Sequence, residues 1–84
     1  MTELRFEVTL RTMEALPRLL MLAGRLGGRM RLILAEDNHV LLEMDAADSL
    51  AHRMEPQLGR LVDVVAIRSL AKGEATESFK SERL

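Results

Sequence analysis

Cysteine is absent from this 84-residue chain, and so are tryptophan and tyrosine. Without thiols there can be no disulfide, thiolate metal site, iron–sulfur cluster or cysteine nucleophile. Phe6 and Phe79 are the only aromatic residues, so the core has to be aliphatic, built from Leu, Val, Ile and the six methionines. Neither sign of charge prevails: 12 basic residues face 13 acidic ones, for a net charge of −1. A general nucleic-acid binder needs a positive excess to displace counterions, so no nucleic-acid partner is expected. The longest apolar run, Leu19 to Ala23, is far too short to span a membrane, and no membrane partner is expected. The opening MTELRFEVTL has no basic region followed by an apolar core, so it does not read as a signal peptide. A cytoplasmic protein is the expectation.

What is present is the balance of a globular chain, 48% hydrophobic and 30% charged. The length allows one small domain, which buries only roughly 60% of its unfolded surface. Association with a second chain is the obvious further source of stability.

Leu4 to Arg11 alternate cleanly, with Leu4, Phe6, Val8 and Leu10 on one side and charged or polar residues on the other. That period of two predicts a half-solvated strand. From Ala15 to Leu26 the period becomes helical, with Leu16, Leu19, Leu20, Ala23 and Leu26 on one face. Pro17 fits the first turn, so the helix should start near Glu14, and Gly27-Gly28 should end it. Strands follow at Arg29 to Glu36 and His39 to Asp45, joined through Asp37-Asn38 as a hairpin. Met30, Leu32 and Leu34 are assigned to one face of the former. A second helix is expected from about Ala46 to Leu58, capped by Asp45 or Asp48 and distorted by Pro56. Leu61 to Leu70 reads as a final strand. Residues 71–84 have no periodicity and read as a polar, disordered tail beyond a domain at 1–70.

The order β-α-β-β-α-β predicts a ferredoxin-like α+β two-layer sandwich, a four-stranded antiparallel sheet with two helices on one face. Right-handed crossovers are expected to make the first and third strands parallel neighbours at the centre of that sheet, with the second and fourth at its edges.

Chemistry is scarce. Asp48, Ser49 and His52 share a helix, but an exposed turn does not hold a nucleophile against an oriented base, so they read as a solvated face. The two histidines, His39 and His52, lack metal-ligand spacing. RNA-recognition domains of this topology stack bases on aromatic residues, and the third strand, HVLLEMD, has none. Gly24, Gly27 and Gly28 close a helix rather than open one, so no phosphate loop is present. No catalytic residue, metal or cofactor is assigned to this chain. The unexplained features are apolar. Ile33, Leu41, Val65 and Ile67 are expected on the sheet face away from the helices, rimmed by Arg5, Glu7, Glu43 and Arg68, as a patch that docks a partner. Arg31, Leu32 and Ile33 on the second strand are expected to form the edge of a homodimer.

The stretch TLRTMEALPRLLMLAGRLGG (Thr9 to Gly28) and the ending QLGRLVDVVAI (Gln57 to Ile67), in this order of elements, resemble ACT domains. They resemble in particular the single-domain small subunits of acetohydroxyacid (acetolactate) synthase, over roughly Leu4 to Leu70. The resemblance implies a non-catalytic regulatory subunit that binds and activates a large catalytic subunit in branched-chain amino acid biosynthesis. Thiamine diphosphate, Mg and FAD would then sit on that catalytic partner alone. It also implies side-by-side dimers with a continuous sheet, and an effector site in the loop of Arg11, Thr12, Met13 and Glu14. Ala15, Leu16 and Arg18 match the family's N-x-x-G-A-L-x-R pattern, whereas Arg11 and Glu14 replace its Asn and Gly. Glycine there lets backbone amides approach a carboxylate, and Glu14 adds bulk and like charge, so branched-chain amino acids are not expected to bind. A free-standing amino-acid sensor and a structural dimerisation module are the alternatives. Phe79 and Leu84 would anchor the tail on the partner.

Overall fold

In chain order the elements are β1 (Thr2–Leu10), a 3-10 turn (Met13–Ala15), α1 (Leu16–Arg25), β2 (Arg29–Glu36), β3 (His39–Ala46), α2 (Asp48–Leu58) and β4 (Val64–Ser69). The computed structural model describes residues 1–70, and the expected tail, with Phe79 and Leu84, lies outside them. The four strands form one sheet in the order β2-β3-β1-β4. Every pairing in it is antiparallel. The ferredoxin-like expectation therefore holds, but the expectation that β1 and β3 run parallel does not. The crossover through α1 brings β2 back parallel to β1, and the hairpin then reverses β3 before it inserts beside β1.

One cluster of buried side chains holds the two layers together. Phe6, Val8 and Leu10 of β1 and Val40, Leu42 and Met44 of β3 pack against Leu19 and Ala23 of α1 and Met54 and Leu58 of α2. These are the alternate residues of each strand and residues on one stripe of each helix, so period alone selects them.

The connections have local causes. Gly27 takes φ +95°, and the Gly28 and Gly27 amides donate to the Ala23 and Gly24 carbonyls, a Schellman end to α1. A Cβ on Gly27 would lie 2.7 Å from Leu50 Cδ1, so α2 also crowds this turn. Asp37 (φ 50°) and Asn38 (φ 69°) form a two-residue turn with both angles positive, the type I′ geometry that matches strand twist. Ala47, not Asp45 or Asp48, occupies the N-cap of α2 and makes no side-chain cap bond. Asp45 lies in β3, and Asp48 is the first helical residue. Pro56 stands inside the last turn without ending the helix, which runs to Leu58 with the Gly59 amide bonded to the Glu55 carbonyl. Leu61 to Asp63 form a turn rather than strand, and β4 begins only at Val64.

Two register shifts decide which side chains face where. One lies in β2 between Met30 and Leu32, the other opposite Thr9 and Leu10 of β1, where Val65 is the extra residue. An extra residue exchanges the faces of everything beyond it. Leu32 and Leu34 consequently align with Glu43 and Leu41 on the helix-free face, whereas Ile33 aligns with Leu42 on the helix side. Met30, aligned with Met44, does not share a face with Leu32 and Leu34.

Candidate functional site

The expected docking residues do not form one patch. Ile67 is in register with Val8 and packs on the main core beneath the helices, and Ile33 has the same side of the sheet. Leu41 does face away from the helices, but it is fully buried, with Leu70 and Leu34 packed around it. Val65, at the bulge, is 60% exposed. Both rearrangements come from the bulges, which strict alternation along β2 and β4 does not anticipate.

Charge dominates the helix-free face. Arg5 Nη2 lies 2.8 Å from Glu43 Oε2 across the central strand pair, with only 15% and 12% of the two side chains exposed. Arg5 Nε and Nη1 are buried without an acceptor among the described residues. Arg68 Nη2 pairs with Glu7 at 2.9 Å, and Arg31 pairs with Glu3 and with Asp45. Glu3, which accepts a hydrogen bond from Arg31, and then Asp45 hold its guanidinium pKa above the ordinary value. The expected rim of Arg5, Glu7, Glu43 and Arg68 is thus a set of intramolecular ion pairs.

The loop after β1 is closed by its own bonds. The Arg11 amide donates to the Asp63 carbonyl at 2.7 Å, the Glu14 amide to Thr12 Oγ1 at 3.3 Å and the Ala15 amide to the Thr12 carbonyl at 3.1 Å. Arg18 reaches Asp63 at 3.2 Å. Met13 packs on the core, and Arg11 and Glu14 are exposed. These amides already have partners, so they form no cradle for a free carboxylate.

At the sheet edge formed by β2, Leu32 (37%) and Ile33 (39%) are exposed, one on each face of the strand. Arg31 occupies the bulge. The two-residue hairpin makes Glu36 and His39 a hydrogen-bonded pair, so by alternation Ile33 and Ala35 turn their N–H and C=O groups outward. Arg29 and Arg31 stand at one end of this uncharged run, Glu36 and Asp37 at the other.

A groove of about 770 Å³ opens on the helix side, between α2 and the β1–β4 pair. Leu4, Phe6 and Ile67 line its apolar floor, and Asp48, His52, Glu55 and Arg60 its rim. Ser69 Oγ donates to Glu55 Oε1 at 2.8 Å and ties β4 to α2 there. Asp48 accepts from Thr2 Oγ1 at 2.6 Å and lies 3.3 Å from the Met1 ammonium, so the hydroxyl first and the ammonium second lower its carboxyl pKa. Asp48, Ser49 and His52 are all exposed. No group of His, Asp and Glu that could hold a metal occurs among the described residues. Sequence reasoning passed over this groove, although Asp48, Ala51, His52, Glu55 and Gly59 follow helical spacing as a second stripe beside the buried one.

No family model matches the chain, and no curated protein does. It is similar to the solution structure of the C-terminal domain of the MgtC protein from Mycobacterium tuberculosis. That match has a TM-score of 0.55 and 17% identity, covering 86% of this chain and 87% of that one. No helix among the described residues is long and apolar enough to cross a membrane. The structural neighbour corrects the resemblance drawn from Thr9–Gly28 and Gln57–Ile67: it is an MgtC domain, not an ACT-domain regulatory subunit of acetolactate synthase. Nothing links the chain to that enzyme, to its activation or to branched-chain amino acid synthesis. What the likeness shows is the fold, a small domain of the same architecture as the MgtC C-terminal domain.

Proposed function

We propose that this chain is a protein-interaction domain that assembles with a second copy of itself by pairing β2 with β2 across a two-fold axis. The observation that carries this reading is the edge of β2, where Leu32, Ile33, Leu34 and Ala35 run without a charge beside outward backbone groups. Antiparallel self-pairing about this run sets the basic end of each strand, Arg29 and Arg31, beside the acidic end of its partner, Glu36 and Asp37. The exposed Leu32 and Ile33 side chains would be covered on both faces of the joined sheet. A domain this small gains stability from such burial at roughly 25 cal/mol per Å² of apolar surface. The reading includes a cytoplasmic location.

Sedimentation velocity across a concentration series tests it. The parent chain is expected as a dimer at micromolar concentration, and Leu32→Lys as a monomer, because a charge on the edge blocks strand addition. A monomeric parent chain contradicts the reading.

A further inference from the structure

The second sheet edge has a different neighbour. Among the described residues β4 pairs with β1 alone, and the groove lies beside it under α2. The Leu70 amide donates to the Arg5 carbonyl at 3.0 Å, which fixes this as a hydrogen-bonded pair. By alternation Glu7 and Arg68 form the next such pair, so Ile67 and Ser69 turn their N–H and C=O groups to the free edge. These are the β4 residues whose side chains line the groove. An incoming strand bonded to Ile67 and Ser69 therefore turns its own alternate side chains to the helix side, beside Ile67 and Ser69 at the mouth of the groove.

The rim is polar in an ordered way. Ile67 Cγ2 lies 3.3 Å from a Cβ built on Gly59, and Ser69 bonds Glu55, so β4 runs antiparallel to α2. Arg60 thus stands at the Ile67 end, with Glu55 and Asp48 towards and beyond the Ser69 end. We infer that this groove receives an extended segment of a partner polypeptide, added antiparallel to β4, with apolar residues at alternate positions, a basic N-terminal end and an acidic C-terminal end. Main-chain bonds to the edge would supply affinity, and the floor and rim the selection. The site does not depend on self-pairing through β2.

Fluorescence anisotropy with the labelled peptide Lys-Val-Thr-Val-Thr-Val-Glu and the full chain tests this. Saturable binding below about 1 mM is expected, and none for the same peptide with Thr at every Val. Ser69→Pro removes an outward N–H without touching the ladder to β1, and Ala51→Lys puts a charged chain over the floor. Each is expected to weaken binding about tenfold or more, and Arg60→Glu severalfold. Leu32→Lys on the opposite edge is expected to leave the affinity unchanged, which separates this site from self-association. Amide shifts in the parent chain should centre on Ile67 to Ser69 and Ala51 to Glu55. Absence of saturable binding, shifts confined to β2, or affinity that survives both Ser69→Pro and Ala51→Lys would overturn the inference.

Discussion

Arg5 and Glu43 face each other across β1 and β3, Nη2 to Oε2 at 2.8 Å, in the middle of the sheet face that no helix covers. Both side chains are largely buried, and Arg5 Nε and Nη1 have no acceptor among the described residues. A charge held this way is costly to leave alone. Its partner is worth less as a source of stability than as a neutraliser.

Truncating only the acceptor should therefore be worse than removing the pair. Glu43→Ala is expected to lower unfolding stability by about 1–3 kcal/mol. The double change Arg5→Met with Glu43→Leu should be near neutral or stabilising, because no stranded charge remains. Urea midpoints at constant slope measure both.

Gly27 holds the end of α1 in a conformation that L side chains resist, with Leu50 already in contact range of any Cβ. Gly27→Ala should cost about 1–2 kcal/mol from backbone strain, plus displacement of Leu50. At Gly28 the conformation is permitted but the space is not, since a Cβ would meet Met44 Sδ at 2.8 Å and the Ala23 carbonyl at 3.1 Å. Thermal unfolding of Gly28→Ala should show overpacking of about 1–3 kcal/mol.

The Asp48 carboxyl has its pKa below the ordinary 3.8, because Thr2 and the Met1 ammonium favour its charged form. A depressed pKa contributes stability above the unfolded-state value and loses it as pH falls through the folded-state value. Asp48→Asn should thus be less stable than the parent at neutral pH, with the difference shrinking below about pH 4. Chemical denaturation at a series of pH values reads this out. A difference that stays constant into acid would place the effect elsewhere.

Much of the fold was legible because period and punctuation agree. The bounds of β2 match the expected ones, and β3 extends a single residue past Asp45, to Ala46, because type I′ turn residues separate two apolar runs. The core stripes of α1 and β1 follow directly from spacings of 3.6 and 2. The faces of β2 and β4 were not legible. In RMRLILAE the aliphatic residues do not alternate, and a bulge in the middle reassigns Leu32, Ile33 and Leu34 without changing a residue type. The familiar look of Gln57–Ile67 has a similar origin. Leu58, Leu61, Val64 and Ile67 are the positions that pack on the core as the chain leaves α2 and enters β4. Any sequence making that connection needs apolar residues there, so the pattern identified an architecture and not a partner. Ion pairing on the helix-free face escaped for another reason, since Arg5 with Glu43 and Glu7 with Arg68 are juxtaposed only by register.

Amide hydrogen exchange, followed residue by residue as a function of protein concentration, tests most directly whether β2 is the assembly edge. Ile33 and Ala35 direct their amides away from β3, where no strand lies among the described residues, so pairing with a second β2 would protect them. Protection at these two amides should rise with concentration in the parent chain and vanish in Leu32→Lys, while Leu34, bonded within the sheet, stays protected throughout. Fast exchange at Ile33 and Ala35 at every concentration would contradict pairing through β2.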